Sequence, residues 1–124
     1  FERNKRHGKG VFTTLFSVYD GMWVNGKRSG EAEYSSKNGG KEGTYTGTYK
    51  SNKRHGHGVQ VSPEYVYIGE WVNDKHHGTG TIKYYDGSSY CGSFVHGVKH
   101  GSGVKTNTEG RTEMEVWENG VLTF

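Results

Sequence analysis

The stretch Tyr67-Ile68-Gly69-Glu70-Trp71-Val72-Asn73-Asp74-Lys75-His76-His77-Gly78-Thr79-Gly80 decides the fold. Its first six residues alternate. In an extended chain Tyr67, Gly69 and Trp71 share one face, and Ile68, Glu70 and Val72 share the other. The run from Gly78 to Tyr84 reads as a second strand. Asn73-Asp74-Lys75-His76-His77 lies between them as a polar turn, and Asp86-Gly87-Ser88-Ser89 follows as a second turn with an Asp-Gly hairpin signal.

The same template recurs. Tyr19-Asp20-Gly21-Met22-Trp23, Tyr45-Thr46-Gly47-Thr48-Tyr49 and Tyr90-Cys91-Gly92-Ser93-Phe94 repeat the opening, with leading tyrosines 26, 22 and 23 residues apart. Seven residues after the second aromatic stands Gly30, Gly56, Gly78 or Gly101; two further on stands Ala32, Gly58, Gly80 or Gly103. The pattern divides the chain into a partial unit (1–18), four complete units (19–44, 45–66, 67–89, 90–112) and a degenerate unit (113–124). At the start Phe1 takes the second aromatic position; at the end Trp117 and Gly120 are in place, but Glu113 and Glu115 replace Tyr and Gly. Each unit supplies about two strands, so the expected fold is all-β. It is an elongated, single-layer antiparallel meander of repeated hairpins, twisted and curved, on the order of 40–50 Å long at ~4.8 Å per strand. The connection Ser35–Gly43 is longer than its equivalents and is expected to bulge out as a mobile loop.

Composition agrees. The 124 residues include 21 Gly, one Pro and one Ala, which argues against long helices. Leu, Ile, Val and Phe together number only 21, yet nine Tyr and three Trp with a net charge of +3 argue against disorder. The hydrophobic material is aromatic, and rings laid over bare glycine backbone offer a route to a folded sheet without a thick aliphatic core. The lone Cys91 excludes an intrachain disulfide and fits a reducing compartment. The chain begins at Phe1, so it reads as a piece of a longer protein.

The pattern resembles the MORN repeat (membrane occupation and recognition nexus), close to Tyr-x-Gly-x-Trp-x-x-Gly-x-x-x-Gly-x-Gly. Tyr90–Gly103 matches every Gly with Phe94 for Trp; Tyr67–Gly80 departs at Asp74, Tyr45–Gly58 at Asn52, and Tyr19–Ala32 at its last position. The resemblance implies a single-layer sheet, a peptide or protein bound in its groove, and dimerisation near the C-terminal repeats. It also implies an affinity for phosphoinositides and a cytoplasmic place in a cytoskeletal or membrane-associated assembly.

Three functional classes follow. The first is a non-enzymatic scaffold whose groove is lined by Tyr19, Trp23, Tyr45, Tyr49, Tyr67, Trp71, Tyr90 and Phe94. Trp71, Tyr49 and Phe94 are its expected anchors, and Trp117, Val121, Leu122 and Phe124 are placed at a homodimer interface. A single layer is expected to leave part of these rings exposed. The second class is an anionic-lipid binder. Lys5, Arg6, Lys27, Arg28, Lys53, Arg54, Lys75 and Lys99 fall in the same turn of successive units, forming an expected basic ribbon with weak, salt-sensitive adsorption. That adsorption is expected to grow below about pH 6.5 as turn histidines charge. The third is an accessory domain of a larger enzyme. Within the chain no nucleophile elbow, phosphate loop or carboxylate pair breaks the repeat, so no catalytic residue, metal or cofactor is expected. His55, His57, His76 and His77 read as solvated turn residues, and thirteen acidic residues disfavour nucleic acid as a partner.

Overall fold

The computed structural model describes residues 7–36 and 43–124. Phe1, Lys5, Arg6 and most of the long connection after Ser36 lie outside the described residues. The elements are β1 (Gly8–Thr13), β2 (Ser17–Val24), β3 (Lys27–Ser36), β4 (Thr44–Lys50), β5 (Lys53–Val61), β6 (Tyr65–Val72), β7 (Lys75–Tyr84), β8 (Ser89–Val95), β9 (Val98–Thr106), β10 (Thr112–Glu118) and β11 (Val121–Leu122). They form one open sheet in chain order, each strand antiparallel to its neighbours. Among the described residues there is no helix and no second layer.

The turns are tighter than the sequence suggests. Strands within a unit are joined by two residues, both at positive φ: Asn25-Gly26, Ser51-Asn52, Asn73-Asp74, His96-Gly97 and Asn119-Gly120. This is the type I′ signature, whose twist matches that of paired strands. The expected five-residue turn at 73–77 is therefore corrected. β7 begins at Lys75, and His76 and His77 are strand residues on opposite faces.

Two kinds of glycine shape the units that begin at Tyr45, Tyr67 and Tyr90; in the unit that begins at Tyr19 the second kind is replaced by Ala32. Gly69 pairs with Gly80, but Trp71 pairs with His76, so two residue steps on β6 face four on β7. Gly78 occupies that bulge at φ +80°, where a side chain is strained. Gly80 serves clearance: a Cβ there would lie 2.3 Å from the Tyr67 hydroxyl and 2.5 Å from the ring. The tyrosine lies flat over bare backbone, and the same arrangement recurs at Tyr45 over Gly58 and Tyr90 over Gly103.

The core is one row of rings. Going along the sheet, Trp23, Tyr19, Tyr49, Tyr45, Trp71, Tyr67, Phe94 and Tyr90 meet in consecutive edge-to-face contacts with centroids 4.9–5.6 Å apart. Each such contact adds about 0.5–1.5 kcal/mol beyond area burial. Phe12 at one end and Trp117 at the other extend the row at 6.1 and 6.3 Å.

Candidate partner-binding face

All eight rings expected to line the groove are buried, none more than 6% exposed. The expectation that one layer must leave them partly open is corrected, and three features explain how they are hidden. Glycine backbone forms the floor, the edge of one ring covers the face of the next, and a row of polar side chains forms a roof. Arg28 sits over Tyr19 and Tyr49, its guanidinium 5.6 and 5.0 Å from their centroids. Arg54 covers Trp71 at 4.4 Å and Tyr45 at 5.8 Å. His76 stacks on Tyr67 at 3.7 Å and 8°. Lys99 lies over Tyr90 and Trp117 at 4.4 and 4.5 Å.

These four are the second residue of each returning strand, and the two-residue turn sets their parity. The first residues, Lys27, Lys53 and Lys75, are exposed and point to the other face. The expected basic ribbon is thus divided by the sheet: Arg28, Arg54 and Lys99 roof the rings, while Lys27, Lys53 and Lys75 line the back.

Burial changes the chemistry of the roofed groups. Desolvation lowers the His76 imidazole to about 4, and the nearby Arg54 charge pushes it the same way. Its Nε2 lies 3.2 Å from Gln60 Oε1, itself buried. His76 is therefore not the solvated turn histidine expected. Desolvation likewise raises the Tyr19 and Tyr45 phenols to about 12 against the opposing charges of Arg28 and Arg54, and it lowers the Lys99 ammonium. Tyr19, Tyr45 and Tyr67 each donate their hydroxyl to the carbonyl three residues on, at 2.7–2.8 Å.

What remains reachable on the ring face is a string of recesses between the roof groups. One of about 150 Å³ is lined by Arg28, Tyr34, Tyr45, Tyr49, Arg54 and Asp74. A second, about 190 Å³, lies beside Gln60, Tyr65 and His76. A third, about 380 Å³, lies among Tyr84, Lys99, Lys105, Glu115, Trp117 and Leu122. Tyr34, Tyr65 and Trp117 pack on the core while keeping one side exposed. Sequence reading missed Tyr34 and Tyr65 because they stand outside the repeat template, although both fall on ring-face parity. A broader depression of about 630 Å³ on the back face is bordered by Lys9, Asp20, Met22, Glu31, Glu33 and His57.

At the C-terminal end Val121, Leu122 and Phe124 are exposed, at 64, 48 and 85%. Trp117, expected with them at a dimer interface, packs against Tyr90 under Lys99, and its Nε1 donates to Glu115 Oε1 at 3.0 Å. Glu115 is buried and fills the place that glycine takes in the other units. Cys91 is exposed on the back face.

A family model for the MORN repeat matches residues 1–14, 19–41, 45–65, 67–89 and 90–110. The chain belongs to the MORN repeat family, a class of non-catalytic repeat scaffolds that mediate protein or membrane interactions. No curated protein matches it significantly along its length.

Proposed function

We propose that this chain is a non-enzymatic scaffold that holds a linear segment of a partner protein along its ring face. The observation that carries this reading is the string of three recesses at 150, 190 and 380 Å³, walled by aromatic, cationic and acidic side chains. Tyr and Arg are favoured anchors at interfaces because they combine apolar area with directed hydrogen bonds. The anchors in this reading are Tyr34, Tyr65, Tyr84 and Trp117, with the eight core rings beneath them as the rigid floor. A partner recovered by affinity capture should lose binding to Tyr34→Ala and Tyr65→Ala variants that remain folded. It should keep binding to the back-face variant Asp20→Ala. The opposite pattern overturns the ring-face reading.

Homodimerisation through the last repeats is part of the proposal. Val121 and Leu122 form the short terminal strand β11 and Phe124 follows it; the outer edge of β11 has no strand partner among the described residues. Light scattering is expected to show a dimer that dissociates in Val121→Lys/Leu122→Lys, and a monomer of the parent at high concentration removes the idea. A cytoplasmic place in a cytoskeletal or membrane-associated assembly fits such a scaffold.

Lys27, Lys53 and Lys75 favour a second reading, weak adsorption of the back face to anionic membranes. They are exposed at equivalent positions in successive units, at a spacing of about 10 Å that matches the Debye length and limits their cooperation. The acid enhancement is smaller than seven histidines would give, because His76 stays neutral until about pH 4. Co-sedimentation with phosphatidylserine liposomes at low salt should fall in Lys27→Gln/Lys53→Gln/Lys75→Gln; unchanged binding overturns this reading.

A further inference from the structure

The two faces of the sheet sort charge. From β1 to β9 every acidic strand residue, Asp20, Glu31, Glu33 and Glu70, lies at back-face parity, between ring-face neighbours such as Tyr19 and Gly21 or Gly69 and Trp71. The strands of the ring face over the same stretch carry Arg28, Arg54, Lys99 and Lys105 and no carboxylate, and its recesses receive carboxylates from the turns, Asp74 beside Arg54 and Asp86 near Lys105. The acidic residues at that parity, Glu113 and Glu115, come only in β10.

The two arginines differ in one respect. Arg54 is neutralised: its Nε lies 3.1 Å from Asp74 Oδ1, and its Nη2 donates to Asp74 O at 3.0 Å. Asp74 is the second turn residue of the next unit. One repeat earlier the equivalent residue is Asn52. It repeats the geometry, with Arg28 N donating to Asn52 Oδ1 at 2.8 Å and Arg28 Nη2 to Asn52 O at 2.9 Å, but it brings no charge. Among the described residues Arg28 has no ion-pair partner. Its guanidinium is already oriented by Asn52 and by the Tyr19 and Tyr49 rings, and it opens on the 150 Å³ recess beside Tyr34. A fixed, half-buried guanidinium with unused donors suits a carboxylate, which accepts two parallel N–H bonds.

We propose that the ring face selects an acidic linear segment of a partner protein, with one Asp or Glu side chain of that segment seated on Arg28. This rests on the ring-face reading above and adds the partner's chemistry. The segment runs across the strands toward β10, where Glu113 and Glu115 disfavour further acidic residues.

The test uses the 124-residue chain and fluorescence polarisation of labelled Ser/Val peptides about twelve residues long, enough to span about 40 Å when extended. One carries a single Glu at its centre, a second carries Gln there and a third carries Lys. The Glu peptide is expected to bind about tenfold more tightly than the Gln peptide, with the difference shrinking in high salt. Asn52→Asp supplies Arg28 with the partner that Arg54 already has, so it should abolish the Glu preference without disturbing the fold. Asp74→Asn should enlarge the preference by freeing Arg54. Arg28→Gln should bring the Glu peptide to the affinity of the Gln peptide. Equal binding of Glu and Gln peptides, or a Glu preference untouched by Asn52→Asp, overturns the acidic-segment proposal and leaves the ring-face reading standing. Failure of all three peptides overturns the proposal; the ring-face reading is then judged by the Tyr34 and Tyr65 variants. Phosphatidylserine vesicles bound through Arg28 without peptide binding would overturn it in favour of a membrane surface.

Discussion

The third complete unit and the terminal unit occupy equivalent stretches of sheet with different contents. In the third, Tyr67, Gly69 and Trp71 form a closed arrangement. The ring of Tyr67 lies over Gly80, its hydroxyl donates to Glu70 O at 2.7 Å, and Trp71 Nε1 reaches Gly58 O at 3.4 Å. In the terminal unit the same places hold Glu113, Glu115 and Trp117, and the indole donates to a carboxylate instead of a carbonyl. Gly69 faces Gly80 so closely that a Cβ would come within 2.5 Å of the opposite Cα. Glu115 meets no such constraint on its outer side, because β11 has two residues and pairs only with Trp117 and Glu118. The glycine requirement is thus imposed by the neighbouring strand and by the tyrosine, and it lapses where both are missing.

The largest expected break in this comparison is in the rings. Trp71→Ala removes a side chain 2% exposed with rings on both sides and should cost about 3–5 kcal/mol in urea unfolding. Trp117→Ala, at the end of the row, should cost clearly less. Equal losses would mean that the row does not act through its interior. The glycine contrast comes next. Gly80→Ala drives a methyl into the Tyr67 ring and should cost about 2–3 kcal/mol. Pairing it with Tyr67→Ala should recover part of that loss, since the clash is with that ring.

The roof offers a contrast by pH. His76 is the histidine of the roof, and its folded value of about 4 lies below the ordinary imidazole value of 6.5. Between those values the unfolded chain binds a proton that the folded chain refuses. Stability present above about pH 6.5 is therefore lost progressively as pH falls toward 4, then levels off. Allowing for partial solvation the loss is on the order of 2 kcal/mol. Urea titrations of His76→Phe against the parent at pH 7 and pH 4.5 should show this component missing in the variant; identical pH dependence would refute it. The smallest effect belongs to the cationic roof. Arg54→Met should lose about 1 kcal/mol of cation–π and ion-pair stabilisation by thermal unfolding, and Arg28→Met, without an ion pair to lose, somewhat less.

The meander and the identity of the core rings were legible in the sequence, because period-2 alternation and repeat spacing are local and survive without knowledge of contacts. The hairpin turns were half legible. Asn25-Gly26 and Asn119-Gly120 carry the turn signature, whereas Ser51-Asn52 and Asn73-Asp74 adopt the same positive φ without glycine. That one ambiguity had large consequences. Reading Lys75, His76 and His77 as turn placed them all in solvent; a two-residue turn puts them on a strand, where parity sends His76 onto Tyr67 and its neighbours to the back. The folded structure alone decided that eight rings are hidden, since their concealment depends on the next unit's ring and on the roof residue above, neither of them a neighbour in sequence. It also decided the difference between Arg28 and Arg54. A sequence shows Asn52 and Asp74 as interchangeable turn residues, and only the pairing of each turn with the preceding unit turns that substitution into one neutralised guanidinium and one left open.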